Sequence, residues 1–277
     1  MKSSREVIEI AHGNSSKQVL SAFFDALKNI AHKWLAIFIF LIIWELLCLT
    51  GFFNPNFISS PIEVALTMWD LTLNGILIVS TLFTITRIFF ALGVALLVAI
   101  PLGFLLGGFF KGFEKPIIPL ILFFAQINAL TLFHFFILLG GLGEIPTILT
   151  IAWAAQWPIL FNTISGTKDV SPSFIKIARS VGLEKLDIFW KVQVPASLPT
   201  IFSGIRLAVI LAFLALMGVE MMGMSSGNGL GYFIIQAEMQ GIVPRMWAGV
   251  VTMTLLAIAL NYAVLRIENH LTKWKTD

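Results

Sequence analysis

Residues 76–110 read ILIVSTLFTITRIFFALGVALLVAIPLGFLLGGFF, and Arg87 is the one charged side chain in the run. A bilayer core is crossed by roughly 20 apolar residues in a helix. This stretch is long enough to span one, tilted or extending past the hydrocarbon. Lipid offers no partner to backbone N–H and C=O groups, so a helix is the state that satisfies them. Working outward, comparable runs cover about 34–53, 116–139, 145–164, 198–222 and 246–265. The expectation is an all-α, polytopic membrane protein of six transmembrane helices. It divides into a cytoplasmic amphipathic segment over 1–33, where Val19, Leu20, Phe23, Phe24 and Leu27 recur at helical spacing, and a transmembrane domain over 34–277.

Composition agrees. Of 277 residues, 58% are hydrophobic and 12% charged, against about half and a quarter in soluble domains. That balance excludes disorder and an ordinary soluble enzyme. The single cysteine, Cys48, excludes an internal disulfide and a cysteine-cluster metal site. The formal charge of +3 raises the question of nucleic acid, but its distribution answers it. With the N-terminus inside, 15 of the 18 basic residues fall on the inner side, and only Arg245 lies in an outer loop. The positive-inside rule then places both termini in the cytoplasm. The charge is a topology signal, and no nucleic-acid partner is needed.

Residues 165–197 break the apolar pattern with Lys168, Asp169, Lys176, Arg179, Glu184, Lys185, Asp187 and Lys191. Ser171 can cap a helix with Pro172 at its first position. Phe174, Ile177, Ala178 and Val181 fall on one face, and Gly182 ends the helix. A second short helix carries Leu186, Phe189 and Trp190 on one face. Pro195 is expected to end it, and Pro199 to begin the next span. Two short amphipathic helices joined at a glycine suit docking of a partner, although such helices also rest on membrane surfaces.

The stretch Lys176-Ile177-Ala178-Arg179-Ser180-Val181-Gly182, nine residues, then Val192-Gln193-Val194-Pro195 resembles the EAA loop of ABC importer permeases. That pattern is Glu-Ala-Ala, three residues, Gly, nine residues, Ile-x-Leu-Pro. Ala178, Gly182 and Pro195 match, while Lys176 and Ile177 depart. Ser60-Pro61, Thr86-Arg87-Ile88, Pro101-Leu102-Gly103 and Gly141-Leu142-Gly143-Glu144 resemble the nitrate/sulfonate/taurine branch. So do the run Ser197–Arg206, Val219–Gly223 and Gly229-Leu230-Gly231-Tyr232. Where that branch usually has prolines in span three, this chain has Asn128 and His134.

The resemblance implies a permease in a bacterial inner membrane, paired with a second copy as a homodimer. It implies two cytoplasmic ATPase subunits docked on the loop, an extracytoplasmic substrate-binding protein, and a small anion such as nitrate, a sulfonate or taurine as substrate. The ATPase-coupling residues are then Ala178, Gly182, Leu186, Phe189, Trp190 and Pro195. The chain itself has no G-x-x-x-x-G-K-[ST] phosphate loop, so ATP binding is expected in another chain, with no cofactor and no enzymatic activity here.

Polar groups within the spans mark either a pathway or helix pairing. Asn128, Thr131 and His134 recur every third residue in span three and are expected to line a translocation path, with Gln156 and Asn162 of span four. The packing alternative is helix–helix hydrogen bonding. Charges in hydrocarbon cost roughly 2.5–3.5 kcal/mol each on insertion scales and seek a partner or water. Glu220 is placed at the outer mouth or in a helix pair, Arg87 in an ion pair or at substrate. Arg206 is read as snorkelling, and Glu45 as structural. His134 has no second ligand at metal-binding spacing. Pro158 should kink span four. A stand-alone secondary transporter or channel would show inverted repeats and broken helices, and no repeat is evident. No aspartate lies in a span and no H-E-x-x-H occurs, so an intramembrane enzyme is a poor fit.

Overall fold

The computed structural model describes residues 35–52, 54, 57–109, 114–223 and 227–272, and every described regular element is helical. The expected amphipathic segment over 1–33 lies outside the described residues, as do residues 111–113 of the expected inner loop, residues 224–226 of the glycine-rich linker, and Lys273 and Lys275. The chain divides into two compact units, 1–65 and 66–277. In the first, α1 (Leu35–Leu49) carries Glu45, whose carboxylate accepts a long hydrogen bond from the Ile62 amide, 3.5 Å. The next helix, α2 (Pro61–Leu73), starts where expected, with Ser60 Oγ accepting from the Glu63 amide.

The second unit is built around α3 (Ile76–Phe104), α6 (Glu144–Lys168) and α9 (Val194–Met221). The helix α6 lies between the other two and packs against both. Close approach is set by small side chains. On α3, Ala91, Ala95, Ala99 and Gly103 recur every four residues, all buried. On α9, Gly204, Ala208 and Ala212 do the same. A Cβ on Gly204 would lie 2.6 Å from Asn162 Cβ, so only glycine permits this approach. Without a hydrophobic force between helices in lipid, such backbone proximity is what makes them pack.

Three helices among the described residues are long and apolar enough to cross a membrane: Ile76–Gly108, Lys185–Met221 and Val243–Leu271, the last being α11. A bent pair, α4 (Glu114–Ala125) and α5 (Ala129–Gly140), supplies a fourth if counted as one span. The expected span four is α6, which is long enough but less apolar. Its buried Thr147, Thr150, Thr163 and Thr167 explain why. Each hydroxyl donates to the carbonyl four residues back, so polar side chains are satisfied without an external partner. The helix also runs unbroken through Pro158.

Two expectations are corrected. Span three is not one helix: it bends by 87° at residues 126–128. Asn128 is extended (φ −64°, ψ 128°) and its side chain accepts from the Leu130 amide at 2.8 Å, so it starts a new helix inside an apolar run. Nor does Pro195 separate the second loop helix from span five. The short α8 (Lys185–Ile188) passes through a π turn (Phe189–Gln193) directly into α9. Pro195 lies inside this continuous helix, two residues past the π turn. Pro199 lies inside α9, rather than starting the span.

Candidate functional site

The loop between α6 and α9 begins with α7 (Pro172–Ser180), capped by Ser171 and ended at Gly182. Gly182 has φ +84°, with its amide donating to Arg179 O and the Leu183 amide to Ala178 O. These paired bonds form a Schellman cap, which needs a left-handed residue. The segment then stands on a peg. Phe189 is buried between Phe104 of α3 and Ile201 of α9, its ring edge-on to Phe104 at 5.2 Å. Ala178 and Ile188 are buried with it. Exposed among the charged residues of the segment are Phe174, Ile177, Val181, Leu186 at 62% and Trp190 at 65% exposure. The coupling residues proposed from sequence thus divide by role. Ala178 and Phe189 face the chain's own core, Gly182 makes the turn, Pro195 starts α9, and Leu186 and Trp190 are displayed.

At the far end of α9 lies a buried charge network. Arg87 of α3 is 1% exposed, and Glu220 of α9 is fully buried. Arg87 Nη1 donates to Glu220 Oε1 at 2.6 Å and to the Asn228 carbonyl. Its Nε and Nη2 grip both oxygens of Glu144, the first residue of α6, at 2.7 and 2.8 Å. Glu220 also accepts from the Gly231 amide at 2.7 Å and from Thr84 Oγ1, and Thr84 Oγ1 in turn accepts from the Leu230 amide. Four segments are therefore tied together: α3, the start of α6, the end of α9 and the start of α10 (Leu230–Met239). The glycines of the Gly229–Tyr232 stretch are explained by this. A Cβ on Gly231 would lie 2.7 Å from Glu220 Cβ. Of the alternatives for Glu220 and Arg87, helix pairing is the one the geometry realises, and Arg87's donors are committed to protein acceptors.

In the sequence Thr86-Arg87-Ile88, Glu144 and the Gly-Leu-Gly stretch stand far apart, and no local pattern joins them into one cluster. Arg206 pairs with Glu268 of α11 at 3.2 Å, where snorkelling was expected. That pairing was missed because Glu268 lies beyond the expected end of span six.

The pathway candidates are dispersed. Asn128 lines a cavity of about 360 Å³ at the bend, with Ile127, Trp153, Trp157 and Leu211. Thr131 and His134 are exposed on α5. The three do not form a stripe on one helix, because Asn128 is the cap and not part of the turn. Gln156 lines a second, apolar cavity of about 270 Å³ with Ile117, Ile121 and Trp157. Asn162 lies against Gly204, its amide donating to Pro158 O. Among the described residues there is no group of three or more metal-binding side chains.

Comparisons with known proteins place this architecture. The family described as "Binding-protein-dependent transport system inner membrane component" matches residues 99–276. A protein named as an aliphatic sulfonates transport permease in Bacillus subtilis (strain 168) is 31% identical over 238 residues, 85% of this chain and 84% of that protein. A nitrate import permease of Leptolyngbya laminosa is 28% identical over 239 residues, 83% of each. The taurine transport system permease of Escherichia coli (strain K12) is 28% identical over 193 residues, 69% of this chain and 68% of that one. In structure, the chain resembles one from an inward-facing methionine ABC transporter, with a TM-score of 0.60 over 78% of this chain and 100% of that chain at 19% identity. The chain belongs to the binding-protein-dependent transport system inner membrane component family, as an ABC importer permease of the branch that holds the sulfonate, nitrate and taurine permeases.

Proposed function

We propose that this chain is the membrane-crossing subunit of an importer for a small anion such as nitrate, a sulfonate or taurine, and that residues 172–195 couple it to cytoplasmic ATPase subunits. Six spans with both termini cytoplasmic, a second permease copy and an extracytoplasmic binding protein complete the reading. Asn128 at the bend, with Thr131 and His134 beyond it, would contribute to the pathway. The observation that carries the coupling role is the contrast within one charged segment: Phe189 buried against the core, and Phe174, Ile177, Val181, Leu186 and Trp190 exposed. Single exposed apolar residues are ordinary, but a clustered apolar patch on a charged segment marks an interaction surface.

The test is co-purification. Leu186→Asp with Trp190→Asp should leave insertion and yield unchanged and remove the ATPase from the purified complex. Recovery of the ATPase at wild-type stoichiometry would refute the assignment. The broken span three is also what a stand-alone transporter would show. Uptake into vesicles that contain this chain alone, without ATP, would favour that second reading.

A further inference from the structure

Arg87 spends its hydrogen bonds on Glu144, Glu220 and the Asn228 carbonyl. Arg206 is paired with Glu268. Arg245, in the first turn of α11, makes no ion pair among the described residues. Its position is costly on local grounds. A helix N-terminus carries partial positive charge from its free amides, and cations there are disfavoured. No acidic residue occupies that first turn to offset it. Two like potentials therefore add at one place.

They add beside a polar cavity. Arg245 lines a hollow of about 240 Å³ with Ser80 of α3, Tyr232 and Gln236 of α10, and Gln240 at the C-cap of α10. The hydrogen bonds among these groups run in one direction. Gln236 Nε2 donates to Tyr232 Oη at 2.6 Å, which fills an acceptor site on the phenol and leaves its O–H to donate elsewhere. Gln240 Nε2 donates a long bond to Gln236 Oε1 at 3.5 Å, which occupies that carbonyl and leaves the second Gln240 N–H. The Ser80 hydroxyl makes no hydrogen bond among the described residues. The cavity thus presents a guanidinium and a set of unspent donors, with its amide and phenol acceptors partly used, and no carboxylate among its lining residues.

We propose that this cavity is an oxyanion site at the outer end of the permease, in which Arg245 holds a sulfonate or nitrate group before it enters the pathway. A planar guanidinium matches such oxygens two at a time, and Tyr232, Ser80 and Gln240 supply further donors. The proposal rests on the anion-importer reading and on its topology, which puts α10 and the start of α3 outside. It adds to that reading a second station for the substrate, distinct from the bend at Asn128.

The experiment measures local anion enrichment without relying on transport. Ser80→Cys is made in a Cys48→Ser background, in the complete transporter reconstituted in phosphatidylcholine nanodiscs. Its modification by the sulfonate-bearing (2-sulfonatoethyl) methanethiosulfonate is compared with that by the trimethylammonium analogue. Taking the ratio of the two rates cancels thiol reactivity, and Asn74→Cys on the exposed turn before α3 is the reference. The ratio at Ser80 should exceed that at Asn74 by about tenfold, the size expected for one nearby charge acting with opposite sign on the two reagents. Arg245→Gln should abolish the excess, Arg245→Lys should retain most of it, and methanesulfonate should slow the sulfonate reagent competitively. A ratio at Ser80 equal to that at Asn74, or one unmoved by Arg245→Gln, overturns the site. Because labelling is read without uptake, that failure is separate from the importer reading, which uptake of sulfonate by the same preparation tests.

Discussion

The sharpest energetic prediction concerns the buried network, where one cation serves two carboxylates. Arg87→Met removes four hydrogen bonds at once, two to Glu144, one to Glu220 and one to the Asn228 carbonyl. It also leaves the Glu220 carboxyl fully buried and without its cation. Removing one partner of a buried pair typically costs about 3–5 kcal/mol. Glu220→Met has a different cost. Arg87 keeps its fork with Glu144, while the Gly231 amide and Thr84 hydroxyl lose their acceptor, at about 1–3 kcal/mol for each buried group left bare. In the double variant the uncompensated carboxylate is gone, so the sum of the single costs should exceed the double by about 2 kcal/mol. Glu144→Gln preserves the shape of the fork, and with Glu144 39% exposed it should cost about 1 kcal/mol or less. Unfolding in mixed micelles of increasing SDS fraction, followed by far-UV circular dichroism, measures all four. Additivity of the singles within about 0.5 kcal/mol, or a Glu144→Gln cost equal to that of Arg87→Met, would refute the view that Arg87 exists to neutralise Glu220.

Three further outcomes are expected. Gly231→Ala should destabilise more than Gly182→Ala, because the first places a methyl against Glu220 while the second meets open space and costs only the left-handed backbone, about 1 kcal/mol; thermal scanning of the two purified variants decides the order. Cysteines at Asn74 or Gln240 should label from outside intact cells while those at Ser171 or Lys185 should not, and external labelling at Ser171 would overturn the topology. Asn128→Ala should cost about 1 kcal/mol as a lost cap, whereas Asn128→Asp should keep the cap and change uptake per assembled complex if the cavity at the bend carries substrate; unchanged uptake in the second variant would remove Asn128 from the pathway.

Much of the fold is legible because apolar length is a strong signal. The runs at 76–110, 198–222 and 246–265 each overlap one of the long apolar helices, Ile76–Gly108, Lys185–Met221 and Val243–Leu271, and Ser171 and Gly182 mark the start and the end of α7 as expected. What escaped the sequence is instructive. The bend at Asn128 was hidden because a single polar residue in an apolar run reads equally as a stripe or as a cap, and periodicity cannot separate the two. The π turn at Phe189–Gln193 was hidden because a proline predicts a stop, whereas here the helix passes through a π turn and continues through Pro195. The network around Arg87 was hidden for another reason. Thr84, Arg87, Glu144, Glu220 and Gly231 are spread over about half the chain, and only the α3–α6–α9 packing brings them within hydrogen-bonding distance.

The two built features of the molecule lie on one element. From Lys185 the chain continues through the π turn into α9 and reaches Met221 with no loop between. At about 1.5 Å per residue, these 37 residues extend about 55 Å. The displayed Leu186 and Trp190 sit at one end, and the buried Glu220 at the other. Between them, glycine and alanine let α9 lie close against α6. A displacement imposed on Leu186 and Trp190 meets no loop before the network, which holds α9 by keeping Glu220 within reach of Arg87. On the proposed coupling role, this makes the Arg87–Glu220 pair the outer anchor against which movement of the docking segment is resisted. Glu144, with its side chain 39% exposed, is the arm that can yield first without stranding a buried charge.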